Sequence, residues 1–185
     1  LYPDLDQHIQ IIIDRGVKIV FTSAGSPKKY TPLLKENGIK VVHVISNLKF
    51  AKKSEEVGVD AIVCEGFEAG GHNGKEEITT MCLIPNVSEN VNIPVIAAGG
   101  IGSGKAMLAA FSLGAEGVQI GSRFVASQEC SAHDNFKDAV VESKEGDTML
   151  SLKKLTAVRL LNNEFSDNFF TNPFTFNWCI ISFFH

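Results

Sequence analysis

One histidine in this sequence stands among bare backbone. Residues 65–74 read Glu65-Gly66-Phe67-Glu68-Ala69-Gly70-Gly71-His72-Asn73-Gly74 and follow the short apolar run 61–64. Glycines let backbone approach a flat or anionic ligand closely. An imidazole held there can take or give a proton near neutral pH. The plainer alternative for a lone loop histidine is a hydrated surface side chain, and the glycines on either side argue against it.

A second glycine-rich turn is Ala98-Gly99-Gly100-Ile101-Gly102-Ser103-Gly104-Lys105. A strand ending at Ala98 and a helix capped by Ser103 would leave bare N–H groups at a helix start, which suits an anion. Two nucleotide signatures come close and fail. The P-loop spacing from Gly99 to Gly104-Lys105 meets Ala106 where a hydroxyl residue must bind magnesium. The dinucleotide pattern from Gly100 meets Lys105 where its third glycine belongs. A third stretch, Gly117-Val118-Gln119-Ile120-Gly121-Ser122-Arg123, ends another short apolar run in backbone and hydroxyl donors.

These turns need a frame. Gly16, Gly38 and Gly58 each close a helical pattern and open a run rich in Val and Ile, with a looser copy at Gly114. Helical periodicity covers 5–14, 30–36, 48–56 and 105–112. Alternating strands and helices predict a parallel α/β sheet with right-handed crossovers. Five strands could complete an open doubly wound sheet or belong to a (β/α)8 barrel. Two consecutive strand ends that both offer phosphate donors match the site after the seventh and eighth strands of a barrel. That numbers the runs 17–22, 40–45, 60–64, 94–98 and 117–120 as strands 4 to 8 of a TIM barrel, present as a C-terminal partial barrel.

Taken together, EGFEAGGHNGK, TTM, IPVIAAGGI and GVQIGSRF resemble the nitronate monooxygenase family, formerly the 2-nitropropane dioxygenases. They are similar also to its relative, the flavin-dependent enoyl-acyl-carrier-protein reductase. The resemblance runs from about residue 4 to 165. It implies a barrel that binds FMN, with no metal. It implies His72 as catalytic base or substrate contact, and Gly70 and Gly71 beside the flavin. Gly99 and Gly100 would hold the phosphate together with Gln119, Ile120, Gly121 and Ser122. Glu65 falls at a flavin-contacting position where the monooxygenases often carry Gln and the reductases Glu.

The implied reaction oxidises alkyl nitronates or nitroalkanes with O2 to carbonyl compounds and nitrite. The alternative reduces an enoyl thioester with NAD(P)H, and the Lys75–Met81 stretch leans the same way as Glu65. A further alternative is a non-catalytic fragment, because strands 1–3 of the barrel are missing from the numbering. The expected partners are a small-molecule substrate and O2, and a homodimer is allowed.

Composition narrows the classes further. The chain has 185 residues, 44% hydrophobic and 21% charged, with net charge −4. That balance gives no pull toward nucleic acid or anionic lipid. No apolar run reaches the roughly 20 residues of a membrane helix. The first residues lack a signal peptide's basic start and apolar centre. Cys64, Cys82, Cys130 and Cys179 form no CxxC pair, which predicts reduced thiols and a cytoplasmic location. His43, inside an apolar strand, reads as a buried hydrogen-bonded residue, with a place facing the flavin as the alternative. The segment 166–185 stands apart from the domain 1–165: Asp167 is its only full charge, and seven of the 13 phenylalanines lie from Phe165 onward.

Overall fold

The alternation of helix-closing glycines and β-branched runs becomes five βα units in a computed structural model, which describes residues 4–153 and 156–162. The aromatic segment 166–185 and Cys179 lie outside the described residues.

Helix α1 (Leu5–Asp14) leads into strand β1 (Ile19–Thr22). Then follow α2 (Thr31–Glu36), β2 (Lys40–Ile45), α3 (Leu48–Val57) and β3 (Ala61–Glu65). After a two-residue strand β4 (Gly71–His72) come α4 (Thr80–Ser88), β5 (Val95–Ala98), α5 (Gly104–Ser112) and β6 (Gly117–Gln119). The chain continues through α6 (Ser122–Val125), α7 (Asp134–Glu142), β7 (Thr148–Ser151) and β8 (Val158–Leu161). Asn47 starts α3 by accepting the Phe50 N–H at 2.9 Å, and Gly58, at φ 87°, ends it in the left-handed conformation. Ser103 caps α5 as its sequence position predicts, accepting the Ala106 N–H at 3.2 Å.

Strand order decides between the two architectures. The five parallel strands run β1-β2-β3-β5-β6, each new strand added on the same side. A doubly wound sheet reverses that order at a switch point. An unreversed order is the winding of a barrel wall. Packing agrees, because the helices cover one face. Val41, Ile62, Cys64, Val95 and Ala97 meet Leu34, Ala51, Leu83, Ile84 and Val87 in one core. Fully burying an aliphatic side chain of this size contributes roughly 1.5–3 kcal/mol. The opposite face carries a smaller cluster of Val42, Val63 and Ala98, with Val44, Ala61 and Ile96 beside it. On the edge strand of that face, Ile19 and Phe21 are more than half exposed.

A second sheet was not foreshadowed by local pattern. It is antiparallel, in the order β4-β8-β7, and lies over the strand ends where the histidine loop emerges.

Candidate functional site

Residues two apart on a strand share a face, so register fixes what the inner face presents. Glu65 pairs with Ala98, and Ala98 with Gln119. These three form a row at the C-terminal rim of the sheet, one step beyond Val63, Ile96 and Gly117. Two polar side chains thus flank a small residue at the end of the strands where α/β folds place ligands. Glu65 is half-buried, and that burial raises its carboxyl pKa above the ordinary range.

Above the row, the loop 66–79 is built around a close contact with the next turn. The Gly66 N–H donates to Ala98 O at 2.9 Å. A Cβ on Gly66 would overlap the Thr80 hydroxyl and backbone N–H. A Cβ on Gly99, whose φ is 100°, would sit 2.9 Å from Gly66 O and 3.0 Å from Thr80 Oγ1. Both glycines are therefore required by protein packing. The Glu68 carboxylate accepts the Thr80 N–H at 3.0 and 3.1 Å, and its Oε2 accepts the Thr80 hydroxyl at 3.1 Å. That carboxylate sits at the start of α4, where the helix dipole favours negative charge.

His72 is exposed at the end of β4. Asn73 behind it is buried. Its Nδ2 donates to Ala69 O and Gly71 O, both at 2.9 Å, and its backbone N–H donates to Ala157 O at 2.8 Å. Asn73 Oδ1 is buried with no hydrogen-bond partner among the described residues.

The two glycine turns after β5 and β6 are adjacent. Arg123 Nη1 donates to Gly102 O at 3.2 Å and ties the turn after β6 to the turn after β5. Gly121 precedes α6, a single short helix. Two loops after the last two parallel strands thus meet the start of a short helix, a geometry that barrels use for anions. A Cβ on Gly70, Gly71 or Gly121 would meet nothing within 4 Å. Their bare backbone thus faces open space that a ligand can fill. The side chain of Ile120 packs into the helix-side core, so only the backbone there is available to the rim.

Some predicted residues stand elsewhere. His43 lies on the helix-covered face and is buried, on the side of the sheet opposite the rim row. Cys64 points the same way, and burial pushes its thiol up to about 12, which makes it unreactive. Cys82 is exposed. Among the described residues, no group of three or more His, Cys, Asp or Glu side chains is placed to hold a metal ion, and no helix is long and apolar enough to cross a membrane. Sequence reasoning missed Arg159. This half-buried residue donates from Nε to Phe67 O at 3.0 Å and holds its guanidinium 4.9 Å from the centre of the Phe67 ring. It lies 92 positions from Phe67, so no local signal marks it.

Comparison with known proteins gives the same picture. A family model described as Nitronate monooxygenase matches residues 3–176. A "Probable nitronate monooxygenase" of Staphylococcus aureus (strain JH9) is 40% identical, over 78% of this chain and 43% of that protein. The solved structure of FabK from Thermotoga maritima superposes with a TM-score of 0.90 at 43% identity, covering 95% of this chain and 57% of that one. A nitroalkane oxidase from Streptomyces ansochromogenes superposes with a TM-score of 0.79 at 29% identity, covering 87% and 50%. The chain spans about half the length of the proteins it matches.

Proposed function

Because the chain belongs to the nitronate monooxygenase family, we propose that it is the C-terminal barrel portion of an FMN-dependent oxidoreductase. In this reading it oxidises alkyl nitronates and nitroalkanes with O2 to carbonyl compounds and nitrite. One observation carries the reading: the Glu65–Ala98–Gln119 row lies at the rim between the His72 loop and two linked glycine turns.

The residues present fit the cofactor. Backbone N–H groups at Gly99, Gly100 and Gly121 and the Ser122 hydroxyl would hold its phosphate. Gly70, Gly71, Ile120 and the side chains of Glu65 and Gln119 would border its ring. When bound, the flavin supplies the electron transfer, while the protein contributes binding, orientation and electrostatics.

His72 works on the substrate's proton. A neutral nitroalkane must lose its α-proton, and in this reading the exposed imidazole accepts it. A nitronate has already lost that proton. Replacing His72 by Asn should therefore depress turnover of the nitroalkane far more than turnover of the nitronate. Equal loss on both substrates would remove the base role.

Glu65 favours a second reading. The similar reductases often carry Glu at this position, and identity to FabK exceeds identity to the nitroalkane oxidase. In that reading NAD(P)H is the reductant, an enoyl thioester accepts the hydride, and His72 contacts the thioester carbonyl. The deciding experiment loads the chain with FMN and assays a nitronate, a nitroalkane, and crotonyl-thioester with NAD(P)H side by side. Nitrite release supports the monooxygenase. NAD(P)H consumption with the thioester alone would transfer the assignment to the reductase.

A further inference from the structure

The His72 loop is closed on itself by Asn73 and Glu68. Glycine-rich backbone is permissive, and β4 contains only two residues. A second set of contacts reaches the loop from the far end of the described chain. Strand β8 pairs antiparallel with β4, setting Gly71 opposite Arg159 and His72 opposite Val158. The Asn73 N–H donates to Ala157 O at 2.8 Å. Lys153 Nζ meets Glu77 Oε1 at 2.6 Å at the other end of the loop.

Arg159 links these parts. Its Nε donates to Phe67 O at 3.0 Å, its Nη1 donates to Thr148 Oγ1 at 3.1 Å, and its guanidinium lies 4.9 Å from the Phe67 ring centre. One planar group therefore joins β7, β8 and the root of the loop. A lysine could not make the two directed bonds and the stacking contact together. The Lys153–Glu77 pair is solvent-exposed and contributes little by comparison.

We propose that Arg159 is a positioning residue for His72, acting through the Phe67 carbonyl and ring and through the β4–β8 pairing. The proposal rests on the reading of His72 as the proton acceptor toward substrate. A base serves only if it is held within a fraction of an ångström of its working position. The paired strands β7 and β8 add that constraint to a loop that its own glycines leave permissive.

The test uses the full chain loaded with FMN and compares wild type with Arg159→Met, Arg159→Lys and Thr148→Val by amide hydrogen exchange. Both Arg159 variants should raise exchange across residues 67–73, read at the Asn73 N–H, by about tenfold, since a charge-assisted bond is lost. Amides of β2 and β3 should keep their wild-type rates. Thr148→Val, which leaves the Phe67 contacts intact, should change the loop little. Unchanged loop exchange, or an equal rise throughout the central sheet, would overturn the proposal.

The kinetic arm separates positioning from general weakening. Arg159→Met should lower kcat on a nitroalkane by about tenfold, with kcat on the corresponding nitronate retained. Loss of both together would count against positioning. A wild-type chain that turns over neither substrate would sink the role of His72, while exchange would still decide whether Arg159 secures the loop.

Discussion

His43 Nδ1 lies 2.7 Å from Thr22 Oγ1, on the helix-covered side of the sheet. The pair continues the face that Val20 and Val41 bury two residues earlier on β1 and β2. The one histidine on a central strand is thus part of the scaffold, whereas His72 is exposed on the loop above the rim row.

This pairing sets a pH dependence. Burial lowers the pKa of His43, so the unfolded chain binds a proton more readily than the folded chain. Stability contributed by neutral His43 is complete above the unfolded value of about 6.5 and is lost as pH falls through the depressed folded value. His43→Gln should flatten the acid side of a curve of urea midpoint against pH. Thr22→Val should cost about 1–2 kcal/mol by leaving the imidazole without its partner. Flavin retention should survive that change, since the rim row lies on the opposite face.

Glu65 carries the opposite sign. Its folded pKa is raised by burial, so the folded chain holds its proton more tightly than the unfolded chain. The stability linked to that proton is complete below the ordinary carboxyl pKa of about 4.3 and is lost as pH rises through the folded value. Glu65→Gln, neutral at every pH, should gain on wild type as pH increases from 4 toward 8 in thermal unfolding. A constant gap between the two curves would show that Glu65 does not titrate in that window.

Two glycines of the turn after β5 can be told apart by substitution. Gly99→Ala forces a side chain into a left-handed conformation against Gly66 O and Thr80 Oγ1. It should cost about 1–3 kcal/mol and abolish flavin retention. Gly102→Ala meets open space and should lie within about 0.5 kcal/mol of wild type. Paired unfolding curves, with flavin absorbance after gel filtration, report both outcomes.

The barrel wall was legible because its determinants are local. Val- and Ile-rich runs, four of them after helix-closing glycines, place five strands to within two residues, and Ser103 caps α5 as its position predicts. Helix α4 was hidden by Pro85 and by weak periodicity. The β4–β8–β7 sheet was hidden for a different reason: its pairing joins His72 to Val158, and a two-residue strand has no period to read. Motif similarity could propose His72 and the glycines, because those residues are contiguous. It could not reach Arg159 or the bond from Glu68 to Thr80, since each depends on segments brought together only by the fold.

Glu68 offers the last test. Its carboxylate takes both the backbone N–H and the hydroxyl of Thr80, while the Thr80 hydroxyl also lies 2.9 Å from Gly99 O. One side chain therefore closes the His72 loop, caps α4 and buttresses the Gly99-Gly100 turn. Removing it leaves the first turn of α4 without its acceptor and opens space beside Gly100. Glu68→Ala should cost about 1–3 kcal/mol, and Glu68→Gln less, because an amide oxygen still accepts one bond. Urea midpoints measure this directly. Flavin retention should fall in the same order, more in Glu68→Ala than in Glu68→Gln, if the loop and the turn are held as a unit. A variant that loses stability yet retains flavin fully would confine Glu68 to capping the helix.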